Sequence, residues 1–284
     1  MKFLIIIPVL MLTALINGSA NAESKEKLND WLAQLPKPWT LASDDLAEVL
    51  PKFHEQFPIY EDRLLALAYW RLGTPYEIFN LGEEQEPDSD PVFRLDVSDC
   101  TSHILTTMAL AESRNWQEAR DTLIHIHYKP DATGKKTPQY EKRWHYTADR
   151  LLHHAMTPHV SARYIEQSKL KTVSVHLNKK QDGSEFLNLN WSLPVTVNYI
   201  PNEHITYDLL ARLPSMIGVA FVKASYFDMG IVMAHEGMLI EGKQLLHAGQ
   251  IAQETVVENF MDYYFAEDAT RFDGIMLFDL RPMQ

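Results

Sequence analysis

The sequence predicts an α+β fold, with helices in the first half of the chain and an antiparallel sheet in the second. Up to about residue 156, apolar side chains recur at the three- and four-residue spacing of amphipathic helices. From about residue 169 the period changes to alternation, and Asp182-Gly183 between two alternating runs is typical of a hairpin turn. Helices and strands that are segregated along the chain are typical of α+β proteins.

The helical half opens with a lead-in that we assign to residues 23–58. It holds one short amphipathic helix before the breaker Pro36-Lys37-Pro38. A second segment, Ala42–Leu50, should end at Pro51, because proline removes a helix hydrogen bond. One domain over residues 59–284 follows. Its predicted helices are Glu61–Leu72, a helix from near Cys100 to Ser113, Trp116–His125, Tyr140–Met156 and, late in the chain, Glu254–Phe265.

Short alternating or apolar runs in the second half predict the strands of the sheet. No internal repeat and no proline-rich linker divides them, which favours a single domain. The predicted strands are Thr172–Leu177, Glu185–Asn190, Val195–Ile200, Val219–Lys223, Met229–His235, Lys243–Ala248 and Ile275–Asp279.

The first residues predict export. Residues 1–22 have a basic start at Lys2, an apolar core over Phe3–Ile16 and a small-residue cleavage site at Ala20-Asn21-Ala22. The apolar run is too short for a membrane anchor, so we expect no membrane insertion after the signal is removed. No cysteine follows the signal, which excludes a lipid-anchored N-terminus. We therefore expect a periplasmic or secreted protein.

Composition argues against several kinds of partner. The chain is 46% hydrophobic and 23% charged, as in ordinary globular proteins, and it carries a net charge of −12. That charge argues against nucleic acid and against anionic membrane surfaces as partners. His125 and His127 are the nearest approach to a metal pair, and no third ligand stands at useful spacing. We expect neither a metal nor another cofactor.

The most informative stretch contains Cys100, the one cysteine in the chain. Ser98 or Asp99 can cap the helix that begins there, which places the thiol at a helix start. Unpaired N–H groups and the helix dipole favour the thiolate at such a position. An unpaired cysteine in an exported protein is typical of a reactive thiol, although a small buried apolar residue is the other interpretation.

Several short motifs occur in an order that resembles a known group of enzymes. The order and spacing are similar to those of the NlpC-type peptidoglycan hydrolases, which are papain-like, and within them to the N-acetylmuramoyl-L-alanine amidase-like family. The resemblance covers about Arg63–Pro282 and implies a papain-like fold in which the Cys100 helix packs on the sheet. The motifs are Leu72-Gly73-Thr74-Pro75-Tyr76, Asp99-Cys100-Thr101, Arg143-Trp144-His145-Tyr146, Met229-Gly230-Ile231-Val232, Leu246-His247-Ala248, Asp262-Tyr263-Tyr264 and Gly274-Ile275 with Arg281-Pro282.

The resemblance implies roles for the matching residues. Cys100 would be the nucleophile, Tyr76 would act on the oxyanion or the substrate, and His247 would orient the base. Arg143 and His145 would line the cleft, and the arginine fork is suited to a carboxylate of a peptide stem. The other residues that we assign to substrate binding are Tyr146, Asp99 and His103.

The base histidine of the family is replaced in this alignment by Asp228, two residues before Gly230. An aspartate beside a thiol raises the pKa of that thiol, so another residue must act as base. His247 could do so with Asp228 as its orienting partner, or His103 could reach Cys100 from the same helix face. His235 is excluded by its separation of some 20 Å along the strand from position 228. The remaining interpretation is an inactive site.

These observations predict an exported cysteine amidase that acts on peptidoglycan or muropeptides. The bond between the muramoyl lactyl group and L-alanine is the expected target, and the reaction would pass through an acyl-enzyme on Cys100. Two alternatives stay open. One is a catalytically inactive relative that binds peptidoglycan, and the other is a cell-wall endopeptidase.

Overall fold

The computed structural model describes residues 25–265 and 270–283. The predicted export signal, residues 1–22, lies outside the described residues. The chain divides into two compact units, residues 1–37 and 38–284. In the first unit, residues 25–32 form helix α1. All of the elements described below belong to the second unit.

The described residues of the second unit form seven α-helices and several short 3₁₀ turns. Pro51 lies inside α2 instead of ending it, so that prediction is wrong. The buried stripe of Leu46, Val49, Leu50 and Phe53 continues past the proline and holds the last turn in place. The helices are α2 (Leu46–Gln56), α3 (Tyr60–Trp70), α4 (Cys100–Glu112), α5 (Trp116–His127), α6 (Thr147–His153), α7 (Tyr207–Leu210) and α8 (Phe260–Tyr264).

One antiparallel sheet of seven strands forms the second layer, in the order β1-β2-β7-β3-β4-β5-β6. The predicted α+β class is therefore confirmed. Leu239 of β4 pairs with Ile217 of β3 on one side and with Leu245 of β5 on the other. The strands are β1 (Lys171–Leu177), β2 (Leu193–Pro201), β3 (Met216–Val222), β4 (Met233–Ile240), β5 (Gln244–Gly249), β6 (Glu254–Asn259) and β7 (Gly274–Phe278).

Four predicted segments are wrong in whole or in part. The helix predicted over Tyr140–Met156 is a 3₁₀ turn at Tyr140–Lys142 followed by α6, which covers only Thr147–His153. The segment Met229–His235 is not one strand, because a 3₁₀ turn over Ala224–Met229 ends at Gly230 in the left-handed region and β4 begins only at Met233. The alternating run Glu185–Asn190 is not paired as a strand, since β1 pairs directly with β2. Glu254–Asn259 extends the sheet as β6, and only the last part of the predicted helix is helical.

Helix α4 is buried on nearly all sides and contacts both β4 and β5. Polar as well as apolar side chains of α4 are buried, among them Ser102, His103, Thr106 and Thr107, so its sequence shows little amphipathic contrast. This packing holds the start of α4, and hence Cys100, against the strands that carry His235 and His247. Within the described residues, no helix combines the length and apolar character needed to cross a membrane.

Candidate active site

Cys100 is the first residue of α4, and a capping box holds this helix start. The Asp99 carboxylate accepts a hydrogen bond from the Ser102 backbone N–H at 2.7 Å, while the Ser102 hydroxyl accepts from the Asp99 N–H at 2.8 Å. The second carboxylate oxygen of Asp99 accepts from the Phe79 N–H at 3.1 Å. Asp99 is therefore a structural support for the cysteine, and it also lies on the wall of the adjoining cavity.

The Cys100 thiol is free and half-buried. Burial is the main cause that raises its pKa, and the charges of Asp99 and Glu236 raise it further. A backbone hydrogen bond at Glu236 acts in the opposite direction and is weaker. The sequence-based expectation of a lowered thiol pKa is therefore wrong, because desolvation and two carboxylates outweigh the helix start. The same backbone hydrogen bond places the sulfur next to β4.

Glu236 is the buried centre of a polar cluster that joins α4, α6 and β4. Its carboxylate forms an ion pair with Arg150, and both side chains are essentially inaccessible to solvent. It also accepts hydrogen bonds from the Thr101 hydroxyl at 2.6 Å and from the Thr147 hydroxyl at 3.1 Å. Because Thr101 follows Cys100, the cluster fixes the first turn of α4 relative to the sheet.

Two histidines on neighbouring strands form a direct pair. Nε2 of His235 on β4 lies 2.7 Å from Nδ1 of His247 on β5, and their ring centroids are 4.8 Å apart. Gly237 makes room for the pair, since a Cβ atom there would lie 3.0 Å from the Cβ of His247 and 2.7 Å from Leu245 Cδ1. Burial lowers the pKa of His247 to about 4 and lowers that of His235 well below its usual value.

A single large cavity brings these groups together. Its volume is about 1230 Å³, and its wall includes Cys100, His235, His247, Tyr76 and Tyr263. Burial raises the pKa of Tyr76 and of Tyr263 to about 12, and in both cases the charge of Cys100 adds to the effect. The two hydroxyl groups therefore stay protonated near the sulfur at neutral pH.

Hydrogen bonds between loops hold Tyr76 at the cavity. Its N–H donates to the Gln253 carbonyl at 3.0 Å, and its backbone pairs with Ser98 in a short parallel bridge. Thr74 and Thr255 continue the contact, because the Thr255 N–H donates to the Thr74 carbonyl at 2.9 Å. Tyr76 and Cys100 therefore lie on the wall of the same cavity, while the predicted role of Tyr76 stays a prediction.

Asp228 does not occupy the place that the sequence alignment assigned to it. It lies in the 3₁₀ turn before β4, where its carbonyl accepts a hydrogen bond from the Gln181 N–H at 2.8 Å. Among the described residues that form the cavity wall, Asp228 is not included, whereas His235 is. The predicted pairing of Asp228 with His247 is therefore wrong. The exclusion of His235 is wrong as well, because it rests on the separation of His235 from position 228, which does not lie on the cavity wall.

A signal for His235 is nevertheless present in the sequence. His235-Glu236-Gly237 also places a histidine two residues before a glycine, and it does so inside a continuous strand. His235 and His247 are 12 residues apart, a spacing that allows two antiparallel neighbours joined by a short turn. The run at Asp228 has the same local pattern but is interrupted by the Gly230 turn.

His103 does not reach the cavity. Its side chain is fully buried in α4, and neither ring nitrogen has a hydrogen-bond partner among the described residues. Burial lowers its pKa, as do the charges of Arg71 and His247. The predicted substrate-binding role is wrong for this residue, because its ring lies in the core with Arg71 and not on the cavity wall.

Arg143, His145 and Tyr146 do line the cavity, but each already has a partner. The Arg143 guanidinium contacts the Glu83 carboxylate at 2.6 Å and the Asp88 carboxylate at 2.9 Å, so its fork is occupied. His145 Nε2 lies 2.6 Å from the Tyr140 carbonyl, and the Tyr146 hydroxyl donates to Asn178 Oδ1 at 2.7 Å. These contacts argue against Arg143 as the residue that binds a substrate carboxylate.

Sequence comparison places this arrangement in a family. The profile of the N-acetylmuramoyl-L-alanine amidase-like family matches residues 66–270, a range that includes the cysteine and both histidines. The chain belongs to this family. No curated protein matches the chain. Within the described residues, no group of three histidine, cysteine or carboxylate side chains is arranged to hold a metal ion.

Solved structures share the fold at low sequence identity. A Legionella pneumophila protein is 17% identical over 83% of this chain and 94% of its own, with a TM-score of 0.66. A putative xylanase from Bacteroides fragilis is 20% identical over 76% of this chain and 99% of its own, with a TM-score of 0.57. An N-acetylmuramoyl-L-alanine amidase from Bacteroides uniformis is 17% identical over 77% of this chain and 98% of its own, with a TM-score of 0.53. At these identities the likeness concerns the fold.

Proposed function

We propose that the protein is a cysteine amidase that hydrolyses an amide bond in peptidoglycan or in muropeptides. Cys100 is the nucleophile, His235 is the general base, and His247 orients that base. The observation that carries the proposal is the His235–His247 pair on the same cavity wall as the chain's one cysteine. Membership of an amidase-like family supplies the substrate class. A papain-like active-site arrangement is part of the proposal.

The reaction starts from a neutral thiol and a neutral imidazole, because the thiol pKa is raised and the histidine pKa values are lowered. We assign Nε2–H of His235 as the donor to Nδ1 of His247 in their 2.7 Å contact, and this tautomer leaves Nδ1 of His235 as the basic nitrogen. As the sulfur attacks the amide carbon, the thiol proton moves to this nitrogen. Nε2 of His247 then carries hydrogen and faces Glu258, whose carboxylate oxygen lies 3.5 Å away.

The tetrahedral intermediate carries a negative oxygen that needs donors. The backbone N–H of Cys100 at the start of α4 and the protonated Tyr76 hydroxyl supply them. Collapse of the intermediate breaks the C–N bond, and the His235 imidazolium gives its proton to the leaving amine. Water activated by the same imidazole then hydrolyses the thioester, which releases the acid and restores the thiol.

We assign the bond between the muramoyl lactyl group and L-alanine as the target, which makes the acyl-enzyme a lactyl thioester. Residues 1–22, which lie outside the described residues, have the pattern of an export signal, and we propose that the protein acts outside the cytoplasm. This placement would bring the enzyme to its substrate. The main competing function is a non-catalytic peptidoglycan-binding protein, which the raised pKa of the Cys100 thiol favours.

The test is hydrolysis of purified muropeptides, followed by mass spectrometry of the products. Wild type should release peptides with a free L-alanine amine and sugars with a free lactyl carboxylate. Cys100→Ala and His235→Ala should lower kcat by at least about 10³-fold, since both groups take part in bond cleavage. Asp228→Asn is the matched control and should keep wild-type activity.

Full activity of Cys100→Ala would end the proposal. Equal loss in Asp228→Asn and His235→Ala would contradict the assignment of His235 as base and support a catalytic role for Asp228. If wild type and Cys100→Ala bind muropeptides equally and neither releases peptide, the protein is the binding module instead.

A further inference from the structure

A second arginine lines the cavity close to the histidine pair. The guanidinium of Arg271 lies over the ring of Tyr263, with its carbon 4.4 Å from the ring centroid. The ring of Tyr263 also contacts the ring of His247, and the two ring centroids are 4.8 Å apart. These two contacts place the Arg271 charge within roughly 10 Å of the His247 ring. Arg271 follows the last residue of the family match directly.

Arg271 differs from Arg143 in what neutralises it. Arg143 is held by two carboxylates, Glu83 and Asp88. In the part of the chain that the structure describes, no carboxylate lies within ion-pair distance of the Arg271 guanidinium. Its contacts are the faces of Tyr263 and Phe272, which leave the planar edge of the fork available to a ligand.

The backbone around Arg271 is anchored, so the side chain starts from a defined position. Lys223 Nζ donates to the Arg271 carbonyl at 2.9 Å, and the Asp273 carboxylate accepts from the Ala224 N–H at 2.7 Å. Phe272 packs into the core beside Phe221 at a centroid distance of 4.7 Å. An arginine that is fixed at its base, stacked on aromatic rings and open at its donor edge is suited to bidentate recognition of an anion.

We propose that Arg271 binds a carboxylate of the substrate's peptide stem. The inference rests on the proposed function, because it uses Cys100 and His235 to define where the scissile amide lies. The separation of up to about 10 Å is that between the Arg271 guanidinium and the His247 ring, and it corresponds to two or three residues of extended peptide at about 3.3 Å per residue. The carboxylate is therefore borne by a stem residue close to the cleaved bond, on the amine side.

Two small muropeptides that differ only in the carboxyl groups of the second residue provide the test. N-acetylmuramoyl-L-alanyl-D-glutamate has free carboxylates on that residue, and its diamide, in which both the α- and the γ-carboxyl group are carboxamides, has none. Wild type should favour the carboxylate in kcat/KM by roughly 10- to 150-fold, the range expected for a hydrogen-bonded charge pair. Arg271→Gln should remove this preference, because it should lower kcat/KM on the carboxylate compound far more than on the diamide.

Arg120→Gln is the charge-matched control, since Arg120 forms a surface ion pair with Glu84 away from the cavity, and its preference should stay intact. Arg271→Lys keeps the charge without the fork and should retain part of the preference. Equal losses on both substrates in a folded Arg271→Gln protein would show a structural role and overturn the proposal. A wild type without preference would overturn it as well.

Binding separates this inference from the proposed function. Calorimetric titration of Cys100→Ala with both muropeptides should show the same preference in Kd and its loss with Arg271→Gln added. If wild type hydrolyses neither compound but the Kd difference follows Arg271, only the proposed function fails. If neither compound binds, the Arg271 site fails too.

Discussion

Glu236→Gln is the substitution that tests most directly how the site is held. Glu236 is 1% exposed and its partner Arg150 is 0% exposed, so the change leaves a buried guanidinium without its counter-charge. Nε and Nη1 of Arg150 have no hydrogen-bond partner among the described residues, which makes the carboxylate its principal compensation. Breaking a buried pair by removing one partner costs about 3–5 kcal/mol.

The expected loss of 3–5 kcal/mol corresponds to a fall in Tm of roughly 6–20 °C for a chain of this size. Thermal unfolding followed by circular dichroism measures it. Arg150→Met should be similarly costly, while the double variant should lose less than the sum of the two single variants, because neither charge is then left alone. A loss below about 1 kcal/mol for Glu236→Gln, or simple additivity in the double variant, would refute this reasoning.

The same substitution has a chemical consequence at Cys100. The charge of Glu236 is one cause of the raised pKa of the Cys100 thiol, so its removal should lower that pKa. Iodoacetamide labelling at pH 8 should therefore be faster in Glu236→Gln than in wild type. Unchanged labelling with reduced stability would mean that Glu236 supports the fold without influencing the nucleophile.

Two further predictions follow from the histidine pair. A general base must be neutral, and burial lowers the pKa of His235 below its usual 6.5 and that of His247 to about 4. The value of kcat/KM should therefore stay near its plateau as the pH falls to about 5.5. A pH profile whose acid limb lies at 6.5 or above would contradict this expectation. Gly237→Ala places a methyl group 3.0 Å from the Cβ of His247. The value of kcat should therefore fall at least about 10-fold, with a smaller relative change in KM. Steady-state kinetics that match wild type would show that β5 accommodates the methyl group.

The sequence predicted the layers of the fold because its periodicities are local. Trp116–His125 and Thr172–Leu177 were recognisable from spacing alone, and the structure has α5 and β1 there. The β4 register was not recoverable in the same way. Most of β4 is buried on both faces and shows no clean alternation, while the Gly230 turn imitates the start of a strand.

The same distinction between local patterns and long-range pairing decides which residues of the site could be predicted from the sequence. Cys100 was identifiable because a helix cap marks its position, whereas Tyr76 was identifiable only through the family resemblance of the motif that it ends. His235 was missed because only strand pairing shows that it faces His247. Arg271 has no motif, and its proximity to the histidines depends on how the segment after α8 returns to the sheet.

The hydrogen bonds between the Tyr76 loop and the start of β6 have a consequence for when the protein can act. They join parts of the chain that are about 180 residues apart, since Thr255 pairs with Thr74. Contacts of such long range form late, after most of the chain entropy has been lost. A nascent or partly folded chain therefore lacks one wall of the cavity, and any activity at this site requires the complete tertiary structure.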